Sequence, residues 1–230
     1  MSGGPSAAEA LKLTQLPLFP LQTVLFPGGW LPLRIFEVRY LDMIGRCHKA
    51  GAPFGVVCLS EGSEVRRPAT QTPGAPPAGD GFAKEVFHPV GVLAQIESLE
   101  KPQPGLYMIR CRGLQRFQVN RRSQLPHGLW VADVALLPAD LPVAPPEELR
   151  SVVDSLQRVL ANLKERHAES IDQLPIQPPY HWDDAGWVAN RWAELLPAPV
   201  ELKQRLMALD NPLLRLELVA DLLDKLGLDR

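Results

Sequence analysis

The first apolar stretch of the chain changes its spacing twice, and each change predicts a new element. Residues 16–26 form an apolar run that contains Pro17 and Pro20. Because proline has no N–H to donate, this run is predicted to be an entering or edge strand. The Pro-Gly-Gly sequence at residues 27–29 then reverses the chain. The alternation that follows predicts a second strand, which gives way to helical spacing over residues 38–49.

Short apolar runs separated by turn signals continue as far as residue 137. Gly113 lies inside one such run and predicts a bulge. The proline- and glycine-rich segment 61–81 has no apolar periodicity and is predicted to be a mobile loop. Repeated short strands with turns between them predict a closed or half-closed barrel. The runs concerned are residues 54–59, 82–87, 90–99, 106–112, 115–119 and 129–137.

Four prolines at residues 138–146 mark a boundary, and the pattern beyond it is helical. An apolar stripe with helical spacing begins near Glu147. Asp183 or Asp184 is placed to cap a second helix, and Asn211, followed by proline, begins the last one. Because each helix has a single apolar stripe, the helices are predicted to pack as a bundle. The predicted organisation is a flexible tail at 1–15, a barrel at 16–138, a linker at 139–146 and a bundle at 147–230.

Composition and charge narrow the classes of partner. With 24 basic and 26 acidic side chains in 230 residues, the net charge is −2, which gives no overall attraction to nucleic acid or to anionic lipid. The three cysteines have no CxxC spacing and are expected to be buried thiols in a reducing compartment. The chain shows no signal-peptide pattern and no run of about 18 apolar residues. We therefore expect a cytoplasmic protein without a membrane partner.

The sequence offers no pattern for ATP hydrolysis, peptide hydrolysis or metal binding. It has no glycine-rich phosphate loop of the GxxxxGK[ST] type, and its serines and lysines suggest no peptidase dyad. Cys47 and His48 are adjacent and point apart on a helix, while the other histidines lie on separate segments, so no converging zinc ligands are expected. The prediction is a non-enzymatic protein without a metal or a cofactor.

The stretch at residues 16–44 reads LPLFPLQTVLFPGGWLPLRIFEVRYLDMI and resembles the opening of the Lon protease amino-terminal domain. Further matching pieces are residues 91–96, Gly113 with the Arg116-Phe117 pair, residues 202–206 and residues 210–216. The resemblance is nearest to bacterial stand-alone versions that lack the ATPase and peptidase domains. It implies an α+β protein in which a PUA-like β-barrel is followed by a helical bundle. It also implies non-enzymatic binding of unfolded or degron-bearing polypeptides, with a link to protein quality control.

Trp30, Phe36 and Tyr40 are the candidate polypeptide-binding residues. A contact surface for unfolded chains needs exposed apolar groups beside polar ones, and these aromatic residues are concentrated in the opening stretch. Trp182 and Trp187 lie off the apolar stripe of their helix and face either the barrel or a partner.

Two other functions stay open at this point. Arg110, Arg112 and Arg116 lie on one predicted hairpin, and the barrel resembles an RNA-binding fold, so RNA is the alternative partner. The third candidate is a small-molecule pocket inside the barrel. The sequence predicts no oligomeric state.

Overall fold

The computed structural model describes residues 11–64 and 84–228, so most of the predicted mobile loop at 61–81 lies outside the described residues. Within them the chain forms six strands and five α-helices. The strands are β1 (Lys12–Leu21), β2 (Trp30–Ile35), β3 (Phe54–Glu61), β4 (Val86–Gln103), β5 (Leu106–Gln124) and β6 (Trp130–Leu136). The helices are α1 (Val38–Ala50), α2 (Arg150–Arg166), α3 (Ala185–Leu195), α4 (Val200–Ala208) and α5 (Pro212–Leu226). The prediction of an α+β fold is confirmed.

The strands pair in one sheet of order β2-β5-β4-β3-β1-β6, and β6 also pairs with β5. β1 runs parallel to β3, while the other pairs are antiparallel. Strand pairing therefore runs from β5 through β4, β3, β1 and β6 and back to β5. β2 pairs with the first half of β5. The description of this sheet as a PUA-like barrel stays a prediction.

β1 changes its partner half-way along its length, which explains its two prolines. The residues up to Leu18 pair with β6, and those from Leu18 onward pair with β3. Pro17 lies in the half that pairs with β6 and Pro20 in the half that pairs with β3. Each half has one open side, where a missing N–H costs no ladder hydrogen bond. Of the prediction of an entering or edge strand, the first part holds, because β1 is the first strand of the described chain. β1 as a whole is not an edge strand, because it lies between β3 and β6, although each half keeps one free edge.

β1 also begins earlier than the predicted tail at 1–15 allows. Lys12 and Leu13 already pair with β6. The N–H of Leu136 donates to the carbonyl oxygen of Leu11 at 3.0 Å. These backbone hydrogen bonds order a segment whose side chains are largely exposed, which an apolar pattern cannot reveal.

Local signals place the helix ends where they are predicted. Gly51 ends α1 with a φ of 61°, the left-handed conformation that glycine adopts at little cost. Asp184 caps α3, and Asn211 caps α5 ahead of a proline at its first turn. The predicted linker at 139–146 contains neither helix nor strand and joins β6 to a 3-10 turn before α2.

Two groups of buried side chains hold the fold together. The smaller group lies among five strands and consists of Leu16, Leu18, Val57, Leu59, Phe87, Leu93, Phe117, Ala132 and Val134. The larger group combines side chains of the sheet with side chains of all five helices. Val92, Ala94 and Ile96 enter the larger group together, because alternate residues of a strand share one face. The sheet and the helices thus share a core and must meet along an extended interface.

Candidate functional site

A cleft of about 320 Å³ opens at the interface between the sheet and the helices. One wall comes from the start of β2 and the middle of β5, and the other comes from α3 and the loop that precedes it. We call it the interface cleft and define it by Trp30, Arg112, Asp140, His181, Asp184 and Trp187, which are part of its lining. It combines charged, aromatic and backbone groups, the mixture expected of a binding site.

A network of two buried arginines and the half-buried Asp140 joins the two walls of the interface cleft. Arg116 on β5 and Arg215 on α5 share the carboxylate of Asp140, at 3.2 and 2.6 Å. Both guanidinium groups also donate to the carbonyl oxygen of Leu209 at the end of α4. Arg215 donates to Oδ1 of Asn190 on α3 at 3.0 Å. Arg116 and Arg215 are 4% and 1% exposed, so Asp140 compensates two charges that water scarcely reaches.

The turn at residues 27–29 packs against both β5 and α3. The N–H of Gly28 donates to the carbonyl oxygen of Gly113, whose own N–H donates back to the turn, each at 2.8 Å. Arg191 on α3 donates to the carbonyl oxygen of Pro27 at 2.9 Å. This three-way junction fixes the position of α3 relative to the sheet at one end of the interface cleft.

Arg191 pairs with Glu194 one turn further along α3, with 2.8 Å between Nε and Oε2. The pair lies directly beneath the turn, because a Cβ on Gly29 would be only 1.9 Å from Oε1 of Glu194. Burial raises the pKa of Glu194 to about 7, against the opposing effects of Arg191 and Lys203. Glu194 therefore changes its charge near neutral pH.

The raised pKa of Glu194 makes the stability of the fold depend on pH. Between pH 4.5, the ordinary pKa of this group, and about 7, the folded state holds a proton that the unfolded state has released. The free energy of unfolding therefore falls as the pH rises through this range. Between pH 5 and pH 8, we expect the free energy of unfolding of the wild type to fall by about 2 kcal/mol relative to that of Glu194→Gln. Urea unfolding measures both values.

The matched control for this measurement is Glu165→Gln, at an exposed position on α2. A stability difference between wild type and Glu194→Gln that stayed constant from pH 5 to pH 8 would contradict the raised pKa of Glu194.

The indole rings of Trp30 and Trp187 in the interface cleft each pack against further side chains. The ring of Trp187 lies 5.0 Å from that of Trp182 and 6.0 Å from that of His181. On the opposite wall, the guanidinium of Arg110 lies 4.4 Å from the centre of the Trp30 ring, a cation–π contact. Of the two tryptophans left open by the sequence, Trp187 faces the cleft and Trp182 packs against it.

The three predicted polypeptide-binding residues do not converge on one site. Trp30 lines the interface cleft, whereas Phe36 and Tyr40 line a second cavity of about 220 Å³ near the end of β2. Phe36 is 54% exposed and borders this cavity. Tyr40 is only 2% exposed, because its ring stacks on that of Phe19 at 4.0 Å. Tyr40 therefore forms a wall of the cavity and offers little surface of its own.

The three arginines considered for RNA are also separated by their surroundings. Arg116 is enclosed in the ionic network, and its burial removes it from any RNA surface. Arg110 stacks on Trp30. Arg112 lines the interface cleft, and within the described residues its guanidinium has no ion pair. RNA binding stays a prediction that depends on Arg110 and Arg112.

A model of the ATP-dependent protease La (LON) substrate-binding domain matches residues 15–225 of the chain. The chain belongs to this family. It is similar to a Lon N-terminal domain protein from Xanthomonas campestris, with 31% identity, a TM-score of 0.61, and 91% of this chain and 98% of that chain covered. It also shares its fold with the N-terminal domain of Mycobacterium avium complex Lon protease, at 19% identity, a TM-score of 0.52 and the same coverage, 91% and 98%. No curated protein matches the chain.

The Lon substrate-binding family corresponds to the binding part of the protease and not to its catalytic part. In this member Cys47, Cys58 and Cys111 are free and buried. Burial raises the pKa of Cys58 to about 11 and that of Cys111 to about 12, which disfavours the thiolate that a nucleophile needs. Among the described residues, no group of three or more His, Cys, Asp and Glu could hold a metal ion. None of the helices formed by those residues is long and apolar enough to cross a bilayer.

Sequence patterns single out Trp30, Arg112 and Trp187 of the interface cleft in this Lon family member, but they do not reveal the ionic network that joins its walls. Asp140 lies in the proline-rich linker, and Arg215 is 75 positions further along the chain. The one available signal is the placement of Arg191 and Arg215 beside the inward-facing Trp192 and Leu216. A charged residue on the buried side of a helix predicts a buried partner.

Proposed function

We propose that this chain binds unfolded or degron-bearing polypeptide segments, as part of protein quality control and without catalysing a reaction. The observation that carries the proposal is an exposed apolar group at the end of β2, in a chain whose family is described by substrate binding. Phe36 and Val38 are 54% and 81% exposed there, beside the 220 Å³ cavity. We call this group, together with Met108, the β2-end surface.

The register of the sheet brings Met108 to the β2-end surface. It lies on β5 opposite Arg34, two residues before Phe36, and it is exposed. Val38 follows at the first position of α1. Arg34 is exposed and Glu37 half-buried, so apolar groups are mixed with charges of both signs. Such a surface suits extended segments of varied sequence better than one rigid partner.

Side-chain contacts, and not strand addition, are the proposed mode of binding. β2 lies at the end of the strand order and could in principle accept a further strand. However, Pro32 in the middle of β2 has no N–H to offer an incoming strand. An exposed Phe36 beside a cavity therefore provides the better anchor.

Phe36→Ser is expected to weaken binding of a carboxymethylated, unfolded polypeptide about tenfold, because it removes the largest exposed apolar side chain of the β2-end surface. Leu226→Ser on α5 is the matched control, since Leu226 is 48% exposed and lies outside that surface. Fluorescence anisotropy at low and at physiological salt measures both variants. Equal affinity of Phe36→Ser and wild type would refute a role for this surface.

The same titration with single-stranded RNA tests the alternative partner. Polypeptide binding by apolar contacts should change little with salt, whereas RNA binding weakens steeply as phosphate contacts are screened. Salt-sensitive RNA binding that is lost in Arg110→Ala and Arg112→Ala, together with no capture of unfolded polypeptide, would favour the RNA-binding function.

We also infer the finer architecture. The return of strand pairing from β6 to β5 supports a PUA-like barrel. The contacts of α3 with α2, α4 and α5 support a helical bundle. The small-molecule alternative expected a pocket inside the barrel. The smaller group of buried apolar side chains fills the space among the strands, which disfavours a pocket there.

A further inference from the structure

Arg112 differs from the arginines around the interface cleft because, among the described residues, its guanidinium forms no ion pair with a carboxylate. Arg116 and Arg215 are paired with Asp140, and Arg191 with Glu194. Arg112 lines the same cleft, half-buried, and has no ion pair among the described residues. We propose that the interface cleft binds the terminal carboxylate of a polypeptide whose last side chain is apolar. This inference rests on the proposed function and adds a second, chemically distinct site to it.

The remaining carboxylates of the interface cleft are already engaged. Asp140 is held by two buried arginines. Oδ1 of Asp184 accepts the N–H groups of Gly186 and Trp187 at the start of α3, at 2.9 and 3.3 Å. Neither acid forms an ion pair with Arg112, so its planar guanidinium remains free to take a carboxylate in a bidentate geometry.

The charges behind Arg112 also favour an incoming anion. Burial lowers the pKa of Arg191, and repulsion from the nearby Arg112 adds to that effect. A carboxylate placed at Arg112 would relieve part of this repulsion. In a partly enclosed site such a charge-assisted pair is stronger than the same pair in open water.

The apolar part of the proposed ligand fits between two fixed indole rings. Trp30 lies directly opposite Arg112 in the β2–β5 pair, so the two side chains emerge on the same face of the sheet. Trp187 lines the other wall, together with Pro178 and Pro179. Because Trp30 and Trp187 are each packed against further side chains, they lose little freedom when a ligand binds.

The volume of the interface cleft favours a chain end over a long segment. At about 320 Å³ it lies at the small end of ligand pockets, which span roughly 300–1,000 Å³. An α-carboxylate and an adjacent apolar side chain fit this size, and so does a free aromatic acid. The occupant we assign is the chain end, since a half-open cleft lets the preceding residues leave toward solvent.

The test is a pair of labelled, unstructured peptides that end in phenylalanine, one with a free carboxylate and one with a terminal amide. Anisotropy titrations of the whole chain should show at least tenfold tighter binding of the free acid. In Arg112→Gln the ratio of the two affinities should fall below twofold. In Arg112→Lys the ratio should be intermediate, because lysine keeps the positive charge but cannot bind a carboxylate in a bidentate geometry. Arg121→Gln, at an exposed position further along β5, should leave the ratio unchanged.

Three results would overturn the inference. They are equal binding of acid and amide by the wild type, a preference that survives in Arg112→Gln, and competition by N-acetylphenylalanine as strong as that of the peptide acid. The last result would assign the cleft to free aromatic acids. Phe36→Ser separates the two proposals, because it should weaken capture of unfolded polypeptide and leave the acid-to-amide ratio as it is.

Discussion

Asp140→Ala is expected to destabilise the folded protein by about 3–5 kcal/mol, the cost of breaking a buried ion pair from one side. The carboxylate of Asp140 is the shared partner of Arg116 and Arg215. Without it, two nearly inaccessible guanidinium groups lose their main charge compensation. Among the described residues, the carboxylate left to Arg116 is that of the exposed Asp210. Urea unfolding at pH 7 measures the change as a lower midpoint with a similar slope.

Asp183→Ala is the matched control for Asp140→Ala. The Asp183 side chain is exposed and lies 3.7 Å from Arg150, so its removal should change the free energy of unfolding by less than about 1 kcal/mol. A loss below about 1 kcal/mol for Asp140→Ala as well would contradict the structural role of the ionic network.

Gly113→Val is expected to be similarly damaging, with a loss of about 3 kcal/mol or more, because it overfills a closely packed backbone junction. A Cβ on Gly113 would lie 2.2 Å from the carbonyl oxygen of Phe26 and 3.1 Å from Cγ of Leu25. Backbone atoms cannot move aside as a flexible side chain can. The two hydrogen bonds between Gly113 and the turn at 27–29 would therefore break. The contact of α3 with the sheet through this turn would be lost with them.

Gly45→Ala provides the matched control for this substitution. Gly45 lies within α1, and a Cβ there would be 3.9 Å from the hydroxyl oxygen of Tyr107, an ordinary contact. Because alanine is the better helix former, Gly45→Ala should be neutral or stabilising by up to about 1 kcal/mol. If Gly113→Val unfolded at the same temperature as the wild type, the junction would tolerate a side chain and the prediction would be wrong.

Structural features that depend only on residues close together in the chain could be predicted from the sequence. Gly51 at the end of α1 and Asn211 before α5 act within one helical turn, so their chemistry identifies them without the fold. The bulge at Gly113 is likewise local, and the register of β4 and β5 shifts there by one residue. The family resemblance in residues 16–44 added the mixed α+β fold.

Features that depend on distant segments could not be predicted in this way. The exchange of partners along β1 needs β3 and β6, and the latter begins at Trp130. The interface cleft needs Asp140 beside Arg215 and brings Arg112 and Trp187 into one lining, and no periodic pattern relates these positions. The burial of Tyr40 on α1 depends on Phe19 of β1, so an aromatic residue in an apolar run cannot be assigned to core or surface by spacing alone.

The most direct test of the proposed function is hydrogen exchange of the whole chain with and without a saturating carboxymethylated polypeptide. Binding at the β2-end surface should slow exchange in residues 33–43 and around Met108, and Phe36→Ser should abolish that protection. Unchanged exchange in these segments, with the polypeptide demonstrably bound, would contradict binding at this surface and move the site elsewhere on the molecule.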